Sequence, residues 1–234
     1  MPTPPDPKTI LIVGASRGLG HAIAAEYLKH GWTVIGTVRD ASRTGLHDLA
    51  DAHPGRVEIE TLDILEPDQI ASLRGRLAGR RLDALFVNAG VTNNPTETVA
   101  EVTTEEFTRV MVTNALAPMR VVEALQDLVG PDGLIGVMSS GQGSVANNTR
   151  GLREVYRSSK AALNQFMRSF AARHAEDPRA MVVMAPGWVR TDMGGESAPL
   201  TIEDSIPGLV SVLLAAHGTP GLRYLDYRGQ TVPW

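Results

Sequence analysis

Tyr156 and Lys160 stand four positions apart in the run Tyr156-Arg157-Ser158-Ser159-Lys160, inside a stretch of helical spacing. Residues at i and i+4 share one helix face. An ammonium beside a phenol favours the phenolate and lowers its pKa from a reference of about 10. Tyr156 is therefore expected to exchange a proton with an alcohol or carbonyl oxygen near neutral pH. The chain holds 4 Tyr and only three Lys (Lys8, Lys29 and Lys160), so a chance Tyr-x-x-x-Lys arises about 0.05 times in such a sequence.

A second constellation is the loop Gly14-Ala15-Ser16-Arg17-Gly18-Leu19-Gly20, which follows a short apolar run and opens a helical pattern. Gly14 suits the tight turn, Gly18 lets the backbone approach a pyrophosphate, and Gly20 lets the helix pack close to the strand. Phosphates would sit on free N–H groups at the helix N-terminus. The strand before and the helix after supply the context this motif needs, so dinucleotide binding is favoured over a structural turn. Val38 ends the second apolar run and Arg39-Asp40 follow. Asp40 has the chemistry to bond a ribose hydroxyl of NAD but falls one or two residues late. Arg39 with Arg17 suits the 2′-phosphate of NADP. NADP(H) is thus expected over NAD(H).

The elements that must position these groups alternate between short apolar runs and amphipathic stretches. Strands are predicted over residues 8–13, 33–38, 57–62, 84–87, 134–138 and 181–185. Helices are predicted over 18–30, 104–129 and 155–176, with Gly130-Pro131-Asp132-Gly133 ending the second. Such alternation demands a parallel sheet with right-handed crossovers and helices on both faces. The fold class is therefore α/β, a doubly wound Rossmann sheet of about seven strands. With no repeat or linker, residues 1–234 read as one dinucleotide-binding catalytic domain. Residues 7–192 form its cofactor and catalytic core, and 193–220 a substrate lid and the following helix.

Composition excludes several classes. There is no cysteine among 234 residues, which removes disulfide frameworks, thiolate metal sites and cysteine nucleophiles. A net charge of −4 gives no electrostatic footprint for nucleic acid. The 6 His show no ligand spacing, so no metal is expected. No apolar run approaches the length of a membrane span, about 20 residues. The start, M-P-T-P-P-D, has neither a basic start nor an apolar run, so no signal peptide is read there and a cytoplasmic location is expected.

Taken in order, these residues resemble the short-chain dehydrogenase/reductase family over nearly the whole chain. The resemblance rests on Gly14 through Gly20, Asp63, Asn88-Ala89-Gly90, Asn114, Ser139-Ser140, Tyr156 with Lys160, and Pro186-Gly187-Trp188-Val189-Arg190-Thr191-Asp192. The tail is similar to carbonyl reductases of the sniffer and C-factor type. The resemblance implies hydride transfer between a nicotinamide and a small carbonyl or alcohol substrate. It implies that Ser140 bonds the substrate oxygen, with Ser139 the alternative if the register slips by one. Asn114 would hold a water linking Lys160 to solvent, and Lys160 would grip the ribose. Asp63 would meet the adenine, with Ile64 beside it. Asn88, Ala89 and Gly90 would line the adenosine side. Pro186, Gly187, Val189 and Thr191 would face the nicotinamide. A homo-oligomer, dimer or tetramer, is implied as well. So is a second reading, an NADP(H)-binding signalling protein of C-factor type with little turnover, against which the intact Asn114, Ser140, Tyr156 and Lys160 weigh. The spacing of the glycines argues against sugar-nucleotide epimerases, and a methyltransferase would leave the Tyr–Lys pair accidental.

The sequence departs from the family pattern in one segment. Tyr156 stands sixteen positions after Ser140, farther than is common in the family, so residues 141–155 should build a longer wall beside the substrate. Arg150 and Arg153 in that wall raise the expectation of an anionic substrate, against an ordinary solvated loop in which Arg153 neighbours Glu154. Residues 193–205 suit either a closing lid or a merely mobile loop. Trp188 reads equally as core or as pocket wall.

Overall fold

The structure is a computed structural model that describes residues 7–234. The reading of residues 1–6 as lacking a signal peptide falls outside the described residues. Seven strands, β1 (Thr9–Val13), β2 (Thr33–Val38), β3 (Val57–Thr61), β4 (Leu82–Val87), β5 (Val129–Met138), β6 (Ala180–Ala185) and β7 (Gly221–Asp226), form one sheet in the order β3-β2-β1-β4-β5-β6-β7. Every neighbouring pair is parallel. The predicted doubly wound class is what the molecule adopts.

Both faces of the sheet are covered, so its strands carry apolar side chains on alternate positions of both sides. Along β1, Leu11 and Val13 join one core with residues of α3 (Pro67–Arg76), α5 (Ala117–Leu125) and α6 (Glu154–Arg173). Ile10 and Ile12 join the other, against α1 (Gly18–Lys29), Leu46 of α2 (Gly45–Ala52) and α7 (Ile202–Ala216). All four β1 side chains are fully buried. The order reverses at β1, whose neighbours β2 and β4 carry the chain away to opposite sides. A crevice opens there at the strands' carboxyl ends, the place where such sheets bind ligands.

The structure corrects the predicted long helix over 104–129. It is instead α4 (Thr104–Met111), a wide π turn (Val112–Leu116), α5, a 3-10 turn (Gln126–Leu128), and then the start of β5 at Val129. Pro118 is the cause: it has no N–H to give Asn114 four residues back, and its ring crowds that carbonyl. The π turn absorbs the fault, Ala117 N–H donating to Val112 five residues earlier. The Gly130–Gly133 turn lies within β5, whose pairing with β4 shifts register between Leu82 and Ala84. Helices α2 and α3 and the placing of β7 were missed. The helix expected after the lid is α7, opened by a capping box in which Thr201 and Asp204 bond each other's backbone N–H.

Candidate functional site

β1 runs straight into the glycine loop. Gly14 takes φ +87°, a region open to glycine, and its N–H donates to Thr37 Oγ1 at 2.9 Å. Its carbonyl accepts from Asn88 Nδ2 at 2.9 Å, across 74 positions of chain. A Cβ on Gly20 would lie 2.0 Å from that same carbonyl and 2.6 Å from Asn88 Nδ2, so no other residue fits. Arg17 precedes α1 without a side-chain cap, leaving the first-turn N–H groups free for an anion.

The loop borders an open cleft of about 1260 Å³. Of the predicted set, Gly14, Ser16, Arg17, Gly18, Leu19, Arg39, Asp63, Ile64, Asn88, Ala89, Gly90, Ser140, Tyr156, Lys160, Pro186, Gly187, Val189 and Thr191 all line it. Gly20 and Asn114 do not. Gly20 is packed against the loop's own backbone, and Asn114 is wholly buried. Arg39 is exposed at the cleft edge, whereas Asp40 turns back to accept from Ser42 N–H at 2.9 Å. Asp63 likewise accepts from Leu65 N–H at 2.9 Å. On the far rim, Val189 bridges to Leu200, and Thr191 Oγ1 accepts from Gly194 N–H at 3.1 Å. Arg17 reaches Asp192 across the opening at 3.2 Å, both ends well solvated.

Four elements deliver the remaining polar groups. Ser140 follows β5. Its hydroxyl accepts from Gln142 N–H at 3.1 Å and, with Tyr156, lines the cleft. Ser139, the register alternative, also lines the cleft but spends its hydroxyl proton on Asn164 Oδ1 at 2.6 Å. Tyr156 and Lys160 lie on α6, both buried. A Cβ on Gly90 would stand 3.2 Å from Asn114 Oδ1 and 3.4 Å from Lys160 Nζ, so the π turn, the β4 end and α6 converge there.

The electrostatics differ from the sequence expectation. Burial pushes the Tyr156 phenol up, and only Ser140 and then Arg153 pull it down. Lys160 is not among the groups that move it. Its own pKa falls to about 8 through burial, with Nζ donating to Met138 carbonyl at 3.0 Å. The physical reason is shared: the same apolar enclosure disfavours both charged forms. The Asn114 side chain is tied to its neighbours. Its amide oxygen accepts from Val91 N–H at 2.8 Å, and its Nδ2 donates to Val91 carbonyl and to Ser159 Oγ. The side chain is fully engaged.

Several positioning residues escaped the sequence reading. Asn164 accepts a hydrogen bond from the Ser139 hydroxyl and donates to Gly143 carbonyl. Tyr224 donates to Ser140 carbonyl and packs at a tilt against Trp234, whose carbonyl holds Ala146 N–H. Asn164 lay one turn beyond Lys160 and was findable on that spacing; Tyr224, 84 positions from its partner, was not. Trp188 is nearly half exposed and donates to Gly194 carbonyl at 2.8 Å, making it pocket wall. Gln142 Oε1, on another lining residue, is buried without a hydrogen-bond partner. Among the described residues no acidic or histidine cluster suits a metal, and no helix is long and apolar enough to cross a membrane.

Comparison with known proteins agrees with this geometry. A short-chain dehydrogenase described as a structure with bound NADP from Burkholderia multivorans superposes with a TM-score of 0.96 at 66% identity, covering 97% of this chain and 100% of that one. A carbonyl reductase from Pseudomonas aeruginosa in complex with NADP gives 0.89 at 36% identity, again over 97% and 100%. The C-signal protein of Myxococcus xanthus is 36% identical over 155 residues, 65% of this chain and 93% of its own length. The family model for short chain dehydrogenases matches residues 8–200. The chain belongs to the short-chain dehydrogenase family and is an oxidoreductase with relatives among carbonyl reductases.

Proposed function

We propose that the protein interconverts a carbonyl compound and an alcohol with NADP(H), Tyr156 serving as general acid and base. The observation that carries this is the convergence of Ser140, Tyr156 and Lys160 on the same cleft that the glycine loop opens. The cradle fits the cofactor: the helix N-terminus is uncapped, Gly20 has no room for a side chain, and Arg17 and Arg39 stand at the cleft with Asp40 turned away. The Burkholderia and Pseudomonas structures with NADP support the choice over NAD. When bound, NADP(H) supplies or accepts the hydride at its nicotinamide ring.

The chain's own residues do the rest. With its pKa raised, Tyr156 is a neutral phenol at pH 7 and has a proton to give a carbonyl oxygen, the polarity of reduction. Ser140 holds that oxygen from a second side. Lys160 faces the ribose position and replaces the proton on Tyr156. Asn114 serves the relay through its main-chain carbonyl, which Pro118 leaves without its ordinary helical donor, since the amide is spent. The aromatic faces of Phe107 and Phe166, exposed on α4 and α6, suit association into a homo-oligomer, which elution volume and light scattering test.

NADPH oxidation over a panel of aldehydes, ketones and diketones tests the activity, with Tyr156→Phe beside it. The variant should keep NADPH binding and lose kcat by ~10²–10⁴-fold. Unchanged turnover would overturn the assignment of Tyr156. The likeness to C-signal favours a second reading, a cofactor-binding signalling protein with little turnover. That reading gains if no carbonyl compound is reduced while NADPH still binds.

A further inference from the structure

The substrate wall over residues 141–155 ends in the two non-glycine residues of positive φ among those described, Leu152 at 40° and Arg153 at 57°. Each such residue costs about 1 kcal/mol or more and persists only where its surroundings enforce it. Here they do: Arg153 N–H donates to Pro95 carbonyl at 3.2 Å, and its carbonyl accepts from Arg157 N–H at 2.9 Å to start α6. The strained backbone sets Arg153 at the mouth of α6, where it lines the cleft together with Tyr156 and is close enough to bear on that phenol.

The other charges around it are held by partners or stand away from this wall. Arg109 is bound through Nε and Nη2 to Glu106 and donates to Thr92 carbonyl. Arg157 donates to Leu152 carbonyl at 2.8 Å, and Arg150 is exposed and does not line the cleft. Glu154, the sequence neighbour, accepts from Val99 N–H at 2.8 Å and leaves Arg153 alone. The four carboxylates that line the cleft are turned elsewhere: Asp40 to Ser42, Asp63 to Leu65, Asp192 to Arg17, and Asp226 to Arg228 and Gln230. Among the described residues the Arg153 guanidinium has no hydrogen-bond or ion-pair partner. An uncommitted guanidinium on the wall of a substrate cleft, held there at a cost in backbone strain, matches a planar anion in two-pronged geometry.

We propose that the substrate carries a carboxylate, which Arg153 binds so that its carbonyl group meets Tyr156 and Ser140. The proposal rests on the reductase reading, and its test separates the two. One arm measures kcat/KM for aldehydes bearing a carboxylate against the matching carboxamides, such as 4-carboxybenzaldehyde and 4-carbamoylbenzaldehyde. The other needs no turnover: calorimetry of benzoate and benzamide binding to the enzyme saturated with NADP⁺. A preference for the carboxylate of at least about tenfold in both arms, collapsing in Arg153→Gln, is the expected result, one decade being about 1.4 kcal/mol. Equal values for the members of each pair overturn the proposal. So does a preference that survives in Arg153→Gln, or a variant that lowers both members alike. If no carbonyl compound is reduced, the reductase reading falls, and the calorimetry still decides the role of Arg153.

Discussion

The two banks of the cleft are built on different principles. The cofactor bank is a backbone loop clamped at close quarters: Gly20 packs on Gly14 carbonyl, and Gly14 is tied to the short side chains of Thr37 and Asn88, at the ends of buried strands. The substrate bank is a long loop carried on side chains, with strained residues at 152 and 153 and support from Tyr224, Asn164 and Trp234. The first can change only by ceasing to bind. The second can change its chemistry while the sheet stays intact, so specificity belongs there.

Substitutions can break that contrast. Gly20→Ala places a methyl 2.0 Å from a backbone oxygen that cannot move away. It should abolish NADPH binding or the fold itself, read by cofactor fluorescence titration and circular dichroism. A variant that binds NADPH normally would show the cofactor bank to be as adaptable as its opposite. Next in size, Arg39→Ala should lower the NADPH-to-NADH ratio of kcat/KM by ~10–100-fold, the worth of one or two charge-assisted bonds. An unchanged ratio would move phosphate recognition to Arg17 alone.

Much of the first bank was legible in the sequence because its signals are local. Glycines, strand ends and the Tyr–Lys spacing act within a few residues of themselves. The second bank was not, because what shapes it comes from far along the chain: Tyr224 under Ser140, Trp234 against Ala146. Pro118 illustrates the border between the two. It stood in plain view in the predicted helix, yet only the structure shows the π turn that its missing N–H forces one turn earlier. The lowered Tyr156 pKa failed for a related reason, since spacing reports who the neighbour is and not how deeply both are enclosed.

A smaller effect lies between the banks. Lys160 has its pKa depressed from 10.5 to about 8 by burial, so below pH 8 the folded state holds a charge it disfavours. Between pH 8 and 10.5 the unfolded chain binds more protons, and stability should rise with pH over that window on this group's account. Lys160→Met should therefore gain most in Tm over the wild type at pH 7, the gap narrowing by pH 9.5. A gap independent of pH would mean that burial leaves the Lys160 ammonium unshifted in the folded protein. Smallest is Leu152→Asn, which places a residue tolerant of positive φ where an exposed leucine stands at 40°. It should stabilise the protein by about 1 kcal/mol, measured by urea denaturation. A loss instead would mean that the leucine side chain, not the backbone, holds the wall.

The single hydrogen bond from Asn88 to the Gly14 carbonyl also bears on how the chain is made. β1 finds β2 by a short local crossover, but it meets β4 only after more than 70 residues have been laid down. Closure over such a span is slow compared with hairpins or single crossovers. On the ribosome the glycine loop emerges long before its far anchor exists, so a nascent chain that ends at β3 has the motif without the site.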